Sequence, residues 1–261
     1  MQSVTKCRNG VFTPADGFRH FHRFAPEPTL GRNDPMQTSC KRYLLSIAVG
    51  CAAGVPCLHA QSVNGFGICI PRAQRGADTV GCFIVTEHAL GALDRTLVFW
   101  QVDRFANHEQ AEEARSRDGT VIDAFGAVWL LTIGDSAWRP TSGQHVASIG
   151  PIPIKRGVSY SALYMEASMR PGMKSRIHNH SGVEAWYTLS GETCLETPSG
   201  NIIGRAGGAP VIVPGDTPME LTATGTSLRR SIVLILHDSS RPPTTMETVW
   251  KPTGQCEHAS R

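Results

Sequence analysis

The sequence predicts a mainly β protein in which a small α+β region precedes a closed or double-sheet antiparallel barrel. Three observations carry this reading. Glycine and proline are abundant, at 26 and 17 of 261 residues, while 18% of positions are charged, a balance suited to short strands and tight turns. Short apolar runs recur at even intervals through the second half. One stretch, 107 to 119, instead has helical spacing between capping signals. With 41% hydrophobic residues the chain can build a core of this size.

The first sixty residues read as a leader. Residues 1 to 35 are rich in Arg, Pro, His and Asn without periodicity, as in a disordered extension upstream of a start at Met36. From Met36, Lys41-Arg42 form a cationic region, "YLLSIAVGCAAGV" a short apolar stretch, and Leu58-His59-Ala60 a small-residue cleavage site before Gln61. Residues 36 to 60 are therefore expected to be a signal peptide. The mature chain would be secreted or periplasmic and free of the membrane, because the apolar stretch falls short of the roughly 20 residues of a bilayer span.

Charge is unevenly spread. Residues 1 to 60 hold 7 Lys/Arg against 3 Asp/Glu, and the remainder holds 18 against 19, so the formal +3 belongs to the leader. Nothing downstream forms the cationic face that phosphate backbones require, which excludes nucleic acid as a partner. Removing the leader leaves Cys69, Cys82, Cys194 and Cys256 of the 8 cysteines, in a chain expected to enter an oxidising compartment. Four cysteines allow three pairings. Local closure favours Cys69 with Cys82, leaving Cys194 with Cys256 to tie down the tail. No two share the C-x-x-C spacing of thiolate zinc sites.

Residues 61 to 150 form the predicted α+β region. "TLVFWQV" (96–102) is β-branched and aromatic, and Asn107 opens a helix over 108–117, with Gln110 placed as a capping box requires. Asp118-Gly119 ends it before the strands "TVIDAF" and "AVWLLTI". Trp100 and Trp129 are expected in the core. Residues 138 to 154, dense in Pro, Gly and Ser, read as a crossing. Strands then follow at 159–168, 175–180, 184–190, 192–197, 210–214, 219–223 and 229–237, with turns at "TPSGN" and "PGD". These make a barrel over 151–240, followed by a tail, 241–261.

The stretch "GMKSRIHNHSGVEAWYTLSG" (172–191) carries the chemistry. Side chains alternate faces along a strand, so His178 and His180 point together into the barrel. After the turn Ser181-Gly182, Glu184 begins what reads as the hairpin partner strand and reaches the same point. Two neutral imidazoles and a carboxylate with open positions suit a divalent ion: Fe, Mn, Zn or Ni. His20 and His22 repeat the spacing but lack a strand pattern and a third ligand.

Gly172, His178, His180, Glu184 and Gly191 match every spacing of G-x5-H-x-H-x3-E-x6-G. The chain here resembles the cupin superfamily, of which this is the first motif. The second, G-x5-P-x-G-x2-H-x3-N, is partial: Gly208 and Pro214 fit, the next glycine is Gly215, one place early, and Met219 stands where a fourth, histidine ligand is found. A thioether is a soft ligand that suits Cu better than the harder ions, so an apolar fourth wall is the simpler expectation. The resemblance spans 158 to 240. It implies a jelly-roll barrel with an internal site and frequent pairing as homodimers, and it chooses no reaction.

Two functions stay open at this point. The barrel either binds a divalent metal through His178, His180 and Glu184 and acts on a small organic molecule, or it binds a small sugar-like ligand without catalysis, its three polar residues only bonding one another. Met219, Glu166 and Trp186 are the further candidates for the pocket. His237 reads as a surface strand end or a substitute ligand. Arg229-Arg230 read as a solvated strand start, and Lys174 and Arg176 as solvated residues that would attract an anionic substrate. There is no G-x-S-x-G elbow, phosphate loop or dinucleotide fingerprint.

Overall fold

The computed structural model describes residues 68–76, 80–247 and 249–258, all within one compact unit, Leu58–Arg261. The predicted extension, the signal segment and the His20/His22 pair lie outside the described residues. The elements are β1 (Ile70–Pro71), β2 (Gly81–Ala92), β3 (Leu97–Phe105), α1 (His108–Ala114), β4 (Gly119–Ala124), β5 (Ala127–Gly134), β6 (Gln144–Pro153), β7 (Ser159–Met169) and β8 (His178–His180). Then come β9 (Gly182–Ser190), β10 (Glu192–Thr197), β11 (Gly200–Arg205), β12 (Val211–Val213), β13 (Glu220–Thr224), β14 (Arg229–Asp238), β15 (Thr244–Met246) and α2 (Gln255–His258).

Three layers result. A central six-stranded sheet runs β1-β2-β7-β14-β9-β12. One face closes against β11-β10-β13 and the β15-β8 pair, enclosing Leu163, Met165, Trp186, Leu195, Met219, Leu221, Val233 and Ile235. The other packs on a four-stranded sheet, β4-β5-β3-β6, around Trp100, Trp129, Tyr164, Ala185, Ile232 and Leu234. Burial on both faces explains why β7 and β14 read as nearly unbroken apolar runs with little alternation. The chain forms a double-sheet β-barrel with a small α+β layer on its back.

Several boundaries differ from the sequence reading. β2 falls in the predicted α+β region, yet it pairs with β7 and belongs to the barrel sheet. The crossing at 138–154 contains β6, which pairs with β3 from residue 144 onward. Its prolines disguise it, and as the edge of its sheet it tolerates them. The helix stops at Ala114, three residues early, because Arg115 is already extended. Its start is as expected, with the Asn107 side chain accepting the Gln110 N–H at 3.0 Å.

The tail is not an appendage. β15 pairs with β8, and Glu196 of β10 accepts hydrogen bonds from Thr253 and Gly254. The sulfur atoms of Cys69 and Cys82 are 1.96 Å apart and those of Cys194 and Cys256 are 2.05 Å apart, bonding distance for both pairs.

Candidate metal centre

β8 supplies two imidazoles and β9 one carboxylate, and all three side chains are buried. The two strands are not a hairpin. β8 pairs with β15, and His178 bridges Met219, whereas β9 lies in the central sheet between β14 and β12. The chain therefore crosses from one wall of the barrel to the other at Ser181-Gly182, and the ligands face each other across the interior. Gly182 is what permits the crossing: a Cβ there would lie 1.9 Å from the Leu236 carbonyl oxygen.

One ligand atom from each of His178, His180 and Glu184 falls within 4.8 Å of the others. His180 Nε2 is 3.4 Å from Glu184 Oε2, and the imidazole rings meet edge to face with centroids 4.9 Å apart. His178 Nδ1 donates to the Arg176 carbonyl at 2.7 Å and His180 Nδ1 to the Pro243 carbonyl at 3.0 Å. A carbonyl only accepts, so both protons sit on Nδ1 and both Nε2 lone pairs are left for an ion, the arrangement expected around a bound metal. His180 Nε2 and Glu184 Oε2 are buried without a hydrogen-bond partner among the described residues. The donor set thus fits a divalent ion, which His178, His180 and Glu184 would hold.

Burial pushes the His178 imidazole below its ordinary value, and a proton on His180 would oppose one on His178 further. For Glu184 burial alone would raise the carboxyl, but His180, His178 and Arg229 together hold it lower. Both shifts have the same sign for stability, because the unfolded chain takes up these protons first as pH falls. The His178 contribution is complete above its unfolded value near 6.5 and is lost below it, and that of Glu184 is complete above 4.5 and lost below. Thermal midpoints of the chelator-treated protein are expected to fall from pH 7 to pH 5, and His178→Asn to flatten that slope. A wild-type midpoint constant over this range would contradict the shifts.

The other predicted residues distribute differently. Met219 and Trp186 are fully buried in the barrel core and do not line the cavity beside the cluster. Glu166 points the opposite way. It lies on the back face of β7, where it pairs with Arg75 at 2.9 Å and accepts the Phe125 N–H, because even positions of this strand face the α+β layer. His237 is neither exposed nor a member of the cluster: it is buried, with Nε2 3.1 Å from Glu87 Oε1. Lys174 is engaged with Glu257 at 2.7 Å.

Arg229 is the residue that sequence reasoning missed. Expected to be solvated, it is 1% exposed and lines the same cavity as the three-residue cluster. Burial, opposed by Glu184, brings its guanidinium down to about 10, so it remains a cation at neutral pH. Its parity with Val233 and Ile235 along β14 was the available signal, since both of those point into the barrel.

Fold and site together define a double-sheet β-barrel with a buried two-histidine, one-glutamate cluster, as the resemblance to the cupin superfamily implies. No protein-family model matches the sequence, and no curated protein matches it. Similar solved structures include an oxalate oxidase in complex with the substrate analogue glycolate, with 16% identity over 33% of this chain and 45% of that one and a TM-score of 0.28. An uncharacterized double-stranded β-helix protein from Klebsiella pneumoniae shares 13% identity over 38% of this chain and 77% of its own, with a TM-score of 0.29. A cupin-like protein from Thermotoga maritima shares 15% over 37% and 68%, at 0.31. This chain thus spans under half of the oxalate oxidase, and scores this low leave any function to be read from the residues themselves.

Proposed function

We propose that this is an exported cupin that holds a divalent metal ion through His178, His180 and Glu184 and presents it to a small organic molecule inside the barrel. The observation that carries the reading is the pair of imidazoles locked by Nδ1–H bonds to backbone carbonyls, with Nε2 free toward a buried carboxylate. A bound ion would supply Lewis acidity to an oxygen of the ligand. The chain itself orients the ligands and excludes bulk water through Met165, Ala167, Leu221 and Val233 on the cavity wall. Two disulfides support the export reading, and among the described residues no helix is long and apolar enough to cross a membrane.

Elemental analysis of protein isolated from an oxidising compartment tests the proposal. Near-stoichiometric metal is expected in the wild type, with less than a tenth of that in His178→Ala at unchanged secondary structure. A wild type without metal after incubation with Fe(II), Mn(II), Zn(II), Ni(II) and Cu(II) would leave the rival reading, a barrel that binds a small ligand and whose ligand-induced thermal shift survives chelator.

A further inference from the structure

Arg229 is a buried cation with donors to spare. Its Nη1 reaches only the Met169 sulfur, at 3.9 Å, and its guanidinium carbon lies 5.7 Å from the centre of the Trp186 ring. Nε and Nη2 are both buried and have no hydrogen-bond partner among the described residues. These two nitrogens form the side edge of the guanidinium, whose parallel N–H bonds match the two oxygens of a carboxylate. A charged donor edge left unsatisfied inside a protein is costly, and such groups persist where a ligand completes them. The backbone is shaped to seat this residue: Gly191 has φ of +71°, and a Cβ there would fall 2.6 Å from the Arg229 Cα.

Charge points the same way. With a divalent ion on the cluster, Glu184 offsets one of its charges and Arg229 adds another, leaving the cavity with a net charge of about +2 in an apolar wall. Only an anion neutralises that. The cavity is ≈ 40 Å³, room for on the order of three water molecules at ~10–15 Å³ each, so the anion must be small.

We propose that Arg229 is the recognition residue of this cavity and that its ligand is a small organic carboxylate, gripped side-on by Nε and Nη2 while its other end faces the His178, His180 and Glu184 cluster. This rests on the metal reading only for what the far end of the ligand meets. Calorimetric titration of the protein with formate, formamide and inorganic phosphate, with metal content measured on the same samples, separates the two. The wild type is expected to bind formate, whose three heavy atoms match the cavity, at least tenfold more tightly than either control. Arg229→Met should lose that preference while keeping its metal, and its ligand-free thermal midpoint should not fall, because an apolar side chain removes an unsatisfied buried charge. Arg229→Lys, which keeps the charge and loses the fork, should bind formate at an intermediate level. Formate preference in a wild type without metal would support the carboxylate site and overturn the metal centre. Equal binding of formate and formamide, phosphate binding as tight as formate, no binding at all, or an Arg229→Met protein that still prefers formate would each overturn the proposal whatever the metal content. A lowered midpoint in Arg229→Met would assign the residue to structure instead.

Discussion

Gly182→Ala is expected to destabilise the protein by ~4 kcal/mol or more and to abolish metal uptake. A methyl group at this position meets the Leu236 carbonyl oxygen at 1.9 Å and the His237 Cα at 2.5 Å, and backbone on a central strand cannot step aside as a flexible side chain would. Relief on the opposite side is closed too, since Gly215 packs so near that its own Cβ would lie 3.0 Å from the Gly182 Cα. The chain must pass here because His180 and Glu184 belong to different walls of the barrel. Any displacement therefore changes the separation of the two ligands, now 3.4 Å. Thermal denaturation and metal analysis of the variant check this. A midpoint within 5 °C of wild type with full metal content would show that the crossing tolerates a side chain.

Removing the Cys194–Cys256 bond, as Cys194→Ala with Cys256→Ala, is expected to cost about 4 kcal/mol, the chain-entropy value for closing 62 residues. At 2–4 °C per kcal/mol for a domain of this size, the thermal midpoint should drop by roughly 10 °C. The consequence reaches the metal site because the segment held by this bond includes Pro243 and β15. Pro243 accepts the His180 Nδ1–H, and Thr244 pairs with His180 across the short β15-β8 ladder. Loosening it frees the ring of His180, and loss of such an outer support typically weakens metal binding by about 10–100-fold. Metal titration of the double variant below its midpoint measures this directly, and unchanged affinity would mean that the ladder holds without the bond.

Much of the site was legible because its signals are local. The H-x-H spacing on a strand fixes a shared face for His178 and His180 by period alone, and Glu184 keeps its distance in sequence whichever wall it lands on. Helix α1 was equally legible at its start, where Asn107 and Gln110 meet within one turn. Parity was misread where two buried faces leave no alternation. On β7 and β14 both sides are covered, so the pattern does not announce which face is the barrel's; once Met165, Val233 and Ile235 are known to face it, parity turns Glu166 to the back layer and Arg229 to the barrel.

Spacing along the chain was enough to give a mainly β protein, a shared face for His178 and His180 with Glu184 close by in sequence, and a preference for one of the three cysteine pairings. Tertiary structure alone decided that β2 and the tail complete the barrel, that the ligands come from opposing walls, and that Arg229 is shut inside with them. The physical reason is that strand pairing between distant segments and the number of layers covering a sheet depend on contacts made across the fold, and a charged residue at a strand end carries no mark of which layer will bury it.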